Sequence, residues 1–160
     1  MEVKAKHVYA QGVETVFKSF GDKALIANRF TALGARNIQI DSCKLTKTSM
    51  DMHMSREVPV DAPALLKKFM GEWNLATQEE HWTGSAAKGY TGELQLTLKG
   101  VPVTITGKLF LSGDAKGCVN DITMTFESSI PLVGKKLAEF VGSTAITQMQ
   151  KEYEFIRDSF

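Results

Sequence analysis

The sequence lacks the features of disulfide-rich and nucleic-acid-binding proteins. Its 160 residues include only two cysteines and four prolines. Cys43 and Cys118 are far apart and outside any CxxC or Cys/His pattern, so we expect two reduced, apolar thiols rather than a disulfide or a metal framework. A formal charge of +1 gives no electrostatic reason to bind nucleic acid or an anionic membrane surface.

Long apolar runs are also missing. No stretch approaches the roughly 20 residues that a membrane-spanning helix needs, so we expect no stable membrane insertion. The opening residues 1–6 alternate between charged and apolar side chains, unlike a signal or transit peptide. We therefore expect a cytoplasmic protein. The hydrophobic fraction of 43% is sufficient for one packed core, and the length predicts a single domain over residues 1–160.

Motifs that hold metals or cofactors are absent. The sequence has no HExxH, HxH, P-loop, GxGxxG or nucleophile elbow, so we expect no metal and no cofactor. Of the three histidines, His7 shares a strand face with apolar residues and could point inward, whereas His53 should face solvent. His81 carries no metal-ligand spacing either. Each is most simply a solvated or hydrogen-bonded imidazole.

The first third of the chain predicts one strand and two short helices. Residues 3–9 alternate with a period of two, and residues 12–20 have helical spacing. Asp22 is placed to cap a second helix that runs through Leu33, and Gly34 is a natural stop. A further short helix is predicted over 61–70, capped by Asp61 and with Pro63 in its first turn.

The rest of the chain predicts a strand meander and then one long helix. Strands are expected around 38–40, 50–54, 77–83, 94–98, 101–107 and 122–126, with positions 99–100 forming a two-residue hairpin turn. The final helix is predicted from Pro131 to about Asp158, and its apolar flank must lie along the sheet. This order of elements predicts an α+β fold, in which a curved antiparallel sheet of about seven strands wraps around the long C-terminal helix.

Three short motifs support a family resemblance. They are Glu80-His-Trp82, the segment Gly100-Val-Pro-Val-Thr-Ile-Thr-Gly107 followed by Leu109, and Ile130-Pro-Leu-Val-Gly134-Lys-Lys-Leu137. With this layout, the chain resembles the START-like (SRPBCC, helix-grip) superfamily, and is similar to an uncharacterised bacterial branch of it. The glycine-rich loop of the pollen-allergen type is absent at positions 46–48, which makes plant hormone binding a weaker expectation.

A curved sheet that grips a helix rarely fills the space between them, so we expect a cavity of roughly 300–1,000 Å³. Methionines at 50, 52 and 54 share one strand face and suit variable apolar ligands, although ordinary core packing is the alternative. The predicted ligand-binding residues are Met52, Met54, Glu80, Trp82, Tyr90, Leu96, Ile105, Met124, Phe126, Leu137, Val141 and Met149.

Glu80 is the best single candidate for acid–base chemistry, with His7 or Tyr90 as the candidate second group. It precedes Trp82 by two positions, so both side chains project to the same strand face. A buried carboxylate there would anchor a ligand or exchange a proton, whereas at a wet rim it would do neither. Tyr90 is a weaker candidate for a second polar contact.

These observations leave three functional hypotheses open. The first is a carrier, transfer or sensing protein for a hydrophobic or lipid-like molecule. Ligand access would then require movement of residues 59–73, or of the helices near Gly21 and Gly34. The second is an enzyme of the cyclase or dehydratase type, which the resemblance also includes, with Glu80 as acid or base. The third is a protein-interaction module whose core is filled by side chains.

Overall fold

The computed structural model describes residues 1–160. The chain forms seven strands and four helices. None of the four helices is long and apolar enough to cross a membrane. In chain order the elements are β1 (Glu2–Tyr9), α1 (Val13–Phe20), α2 (Lys23–Ala32), β2 (Arg36–Leu45), β3 (Ser49–Pro59), α3 (Ala64–Met70), β4 (Trp73–Ser85), β5 (Gly89–Leu98), β6 (Thr104–Gly113), β7 (Cys118–Glu127) and α4 (Gly134–Asp158).

The seven strands form one sheet in the order β1-β7-β6-β5-β4-β3-β2. Every neighbouring pair is antiparallel, and β1 closes the meander by pairing with β7. The long helix α4 packs on the inner face, where Leu137 and Val141 are 0% and 6% exposed. The predicted α+β helix-grip fold is confirmed.

Both ends of helix α2 form as the sequence predicts, and they set the positions of two buried side chains. The Asp22 carboxylate accepts a hydrogen bond from the Leu25 backbone N–H at 3.1 Å, which caps the first turn. Gly34 adopts a φ of +93°, a left-handed conformation that ends helices and that glycine adopts without strain. Arg29 and Phe30 therefore lie in the last turn of α2, and both are buried.

The connection between β5 and β6 differs from the prediction. The two-residue turn at positions 99–100 is wrong, because the connection runs over residues 99–103 and β6 begins only at the next residue. Val101 and Val103 are each 7% exposed and belong to the hydrophobic core. Pro102 between them has no N–H to donate to a ladder. Val101 and Val103, whose alternation predicted a strand, thus lie in a buried connection.

The start of α3 also differs. The predicted cap by Asp61 is wrong, because α3 begins at Ala64 and has no side-chain hydrogen bond at its N-cap. Pro63 occupies that N-cap position, where its missing N–H leaves no donor unsatisfied. Ala62 is instead buried against the core, so this short helix is held by packing rather than by a polar cap.

Helix α4 begins three residues later than predicted. The predicted start at Pro131 is wrong, and the helix runs over Gly134–Asp158. Leu132 adopts a φ of +70°, which is outside the right-handed helical region. A helix cannot pass through that residue, so it begins after it.

The hydrophobic core consists of two clusters. The α4 cluster contains 15 buried residues from β1, β4–β7, the connections before α3 and β6, α3 itself and the first half of α4. The α2 cluster contains 14 buried residues, chiefly from α1, α2 and β3. Leu109 on β6 packs against both. This division leaves room between the two clusters.

Candidate functional site

A cavity of about 300 Å³ lies between the inner face of the sheet, α2 and α4. Of its 36 lining residues, 25 are hydrophobic. The α4 cluster contributes Leu98 and Phe126, and the α2 cluster contributes Phe30 and Met52. The volume is at the lower end of the range for small-molecule sites.

Most of the predicted ligand-binding residues meet at this cavity. Three predicted residues, Met54, Tyr90 and Leu137, do not line it. The predicted residues that do are Met52, Glu80, Trp82, Leu96, Ile105, Met124, Phe126, Val141 and Met149.

The three residues outside the cavity are part of the packed core. Met54 and Leu137 are both 0% exposed. Tyr90 stacks on Phe17 with ring centroids 3.6 Å apart, and its hydroxyl donates to the Lys47 carbonyl at 2.8 Å. Burial raises the pKa of Tyr90. With its ring stacked and its hydroxyl paired, Tyr90 is a structural residue and not a polar contact of the cavity.

Strand β4 presents three polar side chains to the inner face at alternate positions, Gln78, Glu80 and Trp82. The indole Nε1 of Trp82 donates to Oε2 of Glu80 at 2.9 Å. The Gln78 side-chain amide donates to Oε1 of Glu80. Each carboxylate oxygen therefore has a donor, which fixes the orientation of the carboxylate.

Two buried arginines join Gln78 and Glu80 in a group of polar side chains, which we call the polar end of the cavity. Neither arginine was predicted from the sequence. Arg29 on α2 is 7% exposed and Arg56 on β3 is 6% exposed. Their guanidinium carbons lie 4.7 Å and 3.9 Å from the centroid of the Phe30 ring. Positions 50, 52, 54 and 56 share one strand face, so the methionine alternation could have located Arg56. Nothing comparable in the sequence indicates Arg29.

The two arginines differ in their partners. Arg56 Nη1 donates to Oε1 of Gln78 at 3.0 Å. Arg29 Nε has no hydrogen-bond partner, and the nearest carboxylate oxygen, on Glu152, is 3.9 Å away. The pKa of Arg56 is lowered to about 10, chiefly because burial disfavours its charged form. The charge of Arg29 acts in the same direction, and the carboxylates of Glu152 and Glu80 oppose it.

The cavity is also lined by His7 and Asn120, which are partners across the β1–β7 pair. His7 is 7% exposed and stacks on Tyr153 with centroids 4.4 Å apart. Burial lowers the pKa of His7 to about 4, so its imidazole is neutral at pH 7. Asn120 Oδ1 is buried without a hydrogen-bond partner. His53 lies on the outer face and pairs with Asp41 at 2.8 Å.

The chain can be placed in a family on this architecture and sequence together. A family model described as "Protein of unknown function (DUF2505)" matches residues 4–159. The chain belongs to the DUF2505 family. No curated protein sequence matches this DUF2505 protein.

Solved structures similar to this DUF2505 protein share its fold along nearly the whole chain. The protein TTHA0849 from Thermus thermophilus aligns with a TM-score of 0.66 and 13% identity, covering 99% of this chain and 95% of that one. Zhui aromatase/cyclase from Streptomyces sp. R1128 aligns with a TM-score of 0.62 and 11% identity, covering 99% and 92%. A START superfamily protein from Mycobacterium smegmatis aligns with a TM-score of 0.53 and 9% identity, covering 99% of both chains.

At these identities the similarity establishes the fold and nothing finer. The START-like resemblance is thus confirmed, in a family whose own description is of unknown function. Its fold is shared by a START superfamily protein and by an aromatase/cyclase. The role of this chain has to be argued from the residues of its own cavity.

Proposed function

We propose that residues 1–160 act as one domain that binds an apolar small molecule in the cavity, in a carrier, transfer or sensing role. The observation that carries this proposal is the lining, in which 25 of 36 residues are hydrophobic. Affinity would come mainly from apolar area removed from water, at roughly 25 cal/mol per Å² before ordering costs.

The polar residues of β4 would orient the ligand. Glu80 is held by Trp82 and Gln78, so its carboxylate has a fixed position beside otherwise apolar walls. A ligand group that donates a hydrogen bond would be placed next to it, while the apolar part would lie along Ile105 and Met124. Such an arrangement of few polar groups in an apolar pocket is typical of small-molecule sites.

Ligand access would involve the connection after β3. Pro59, Val60 and Asp61 line the cavity, as does Met70 at the end of α3. Between the paired residues Pro59 and Trp73, the segment 60–72 lies outside the sheet ladder and forms part of one wall. Displacing this segment would open the cavity while the strands stay paired, so we propose residues 59–73 as the access route.

Native mass spectrometry of the freshly purified chain, followed by organic extraction, tests the binding proposal. Excess mass that organic solvent releases would support it and identify the chemical class of the ligand. Uptake of the neutral apolar probe N-phenyl-1-naphthylamine, followed by its fluorescence, provides a second readout. A bare mass together with no uptake of the probe would contradict the proposal.

A matched pair of variants on α4 shows whether the probe occupies this cavity. Val141 lines the cavity, whereas Ile146 is on the same helix but 50% exposed. Val141→Phe places a larger ring in the cavity and should weaken probe binding about tenfold, the factor that corresponds to about 1.4 kcal/mol of steric cost. Ile146→Phe should leave binding unchanged. Equal effects of the two variants would place the probe elsewhere.

An enzyme of the cyclase or dehydratase type remains the second candidate. The observation that favours it is the fixed carboxylate of Glu80 at the cavity wall. Its two donors fix the position of the carboxylate, as a catalytic group or a ligand anchor requires. Glu80→Gln separates the roles: loss of turnover with retained ligand would favour the enzyme, whereas weaker ligand binding would favour the anchor.

A further inference from the structure

Most N–H donors of Arg29 and Arg56 have no acceptor, and this indicates which class of ligand the cavity binds. Two guanidinium groups carry about ten N–H donors between them. In this cavity Arg56 makes one side-chain hydrogen bond, to the neutral amide of Gln78. Arg29 Nε makes none although it is buried. Buried cations without acceptors are costly unless something else supplies the acceptors.

The carboxylates of the cavity do not supply them. Glu80 is occupied by Gln78 and Trp82, and no ion pair joins it to either arginine. Glu152 lies 3.9 Å from Arg29 Nε, which is close enough to offset charge but beyond hydrogen-bonding distance. Glu152 and Glu80 thus offset the charge of the arginines but leave most of their donors unpaired. Asp61, the third acid of the lining, forms no ion pair with either arginine.

Both guanidiniums lie against one aromatic ring, close enough for the charge of Arg29 to lower the pKa of Arg56. Both lie against the ring of Phe30, at 4.7 Å and 3.9 Å from its centroid, and both line the cavity. Each guanidinium thus makes a cation–π contact with this ring. The planar donors of a guanidinium match the oxygen atoms of a carboxylate or a phosphate.

We propose that the ligand is amphipathic and anionic, with a carboxylate or phosphate group held by Arg29 and Arg56 and an apolar body along the α4 cluster. This inference rests on the proposed binding function and narrows it. The anion would give the guanidinium donors charged acceptors, and the apolar lining would give the site selectivity for a molecule with a hydrophobic body over a free anion.

Titration calorimetry of the full chain with four molecules that share one alkyl chain tests the head group. The probes are dodecanoate, dodecyl phosphate, 1-dodecanol and dodecylamine, at about pH 7.5, where the acid is ionised and the amine is protonated. We expect both anions to bind at least about tenfold more tightly than 1-dodecanol, because charge-assisted hydrogen bonds are the stronger ones. Dodecylamine should bind no more tightly than 1-dodecanol.

Variants then assign the preference to the arginines. Arg29→Gln and Arg56→Gln should each reduce the preference for dodecanoate over 1-dodecanol about tenfold, with 1-dodecanol itself little affected. Arg157→Gln removes a cation from the exposed end of α4, where the side chain is 46% exposed, and should keep the full preference. Should Arg56→Gln not fold, Arg29→Gln and the ligand series on the unaltered chain decide.

Each contrary result has its own meaning. Equal binding of dodecanoate and 1-dodecanol would overturn the anionic ligand but leave the binding function intact. Tighter binding of dodecylamine would mean that Glu80 and Glu152 select the head group, and would also overturn it. Inorganic phosphate or acetate binding as tightly as the dodecyl compounds would show a site for a free anion and overturn the amphipathic ligand. If none of the four dodecyl compounds binds, both the proposed binding function and the anionic ligand are overturned.

Discussion

The indole N–H of Trp82 donates a hydrogen bond to the carboxylate of Glu80, two residues earlier on the same strand. The donor is 1% exposed, and the acceptor lies at the cavity wall. The pair therefore links the α2 cluster, to which Trp82 belongs, to the polar end of the cavity. A change in either residue should be felt both in stability and in the placement of the carboxylate.

A double-mutant cycle measures this pair. Trp82→Phe removes the donor, and Glu80→Gln removes the charge from the acceptor. Because a hydrogen bond to a charged group contributes more than a neutral one, we expect a coupling free energy of about 1 kcal/mol or more in urea unfolding. The matched cycle uses Trp73→Phe and Glu79→Gln on the same strand, where Trp73 is 38% exposed. Equal coupling in the two cycles would contradict a specific bond.

The pH dependence of stability should carry a contribution from His7. Its pKa is lowered from 6.5 to about 4 in the folded chain because it is buried. Above pH 6.5 the imidazole is neutral in both states and has no effect. As the pH falls from 6.5 to 4, the unfolded chain binds the proton first, so folding loses up to about 3 kcal/mol.

His7→Phe tests this sign. Phenylalanine keeps an aromatic ring beside Tyr153 but does not titrate. Urea unfolding measured between pH 7 and pH 4 should therefore show a shallower loss of stability in the variant. The same slope in both proteins would mean that other groups cause the acid sensitivity.

Two buried glycines should respond differently to an added methyl group. A Cβ at Gly92 would lie 2.5 Å from Cδ2 of the Trp82 indole, and one at Gly107 would lie 2.6 Å from Sδ of Met124. The indole is rigid and fully buried, whereas the thioether is flexible. We expect Gly92→Ala to lower the free energy of unfolding by about 2–3 kcal/mol and Gly107→Ala by about 1 kcal/mol or less. Denaturant unfolding checks the order, and the reverse order would contradict it.

Both cysteines should react slowly in the folded chain. Burial raises the pKa of the Cys118 thiol to about 11 and also raises that of Cys43. Because the thiolate is the reactive form, iodoacetamide at about pH 8 should label Cys118 at least about 100-fold more slowly than an unperturbed thiol. In urea both should label quickly. Rapid labelling of Cys118 in the native chain, followed by mass spectrometry, would contradict this.

The sequence predicted the strand faces well, because a period of two depends only on local geometry. The methionines at 50, 52 and 54 are all buried, as the alternation indicates. The connection before β6 could not be predicted in this way, since Val101 and Val103 alternate like a strand. Their burial against the α4 cluster overrides the local pattern and makes them a connection.

The candidate site was predictable in part for the same reason. Periodicity places Tyr90 on the inner face but says nothing of how far along the strand the cavity extends, so its stacking on Phe17 could not be foreseen. Arg56 continues the alternation of the methionines, so its position on the inner face could have been predicted from the sequence. Arg29 depends on where the last turn of α2 meets the sheet, which is a tertiary relationship.

The two-part core has a consequence for how the chain opens locally. Amide hydrogens in α1 and α2 are protected by one cluster and those in α3 and the first half of α4 by the other, so the two groups should exchange with deuterium at different opening free energies. A molecule seated between the clusters contacts both and adds its binding free energy to every opening that releases it. A bound ligand would thus bring the exchange rates of the two clusters closer together. The two clusters would then open as one cooperative unit.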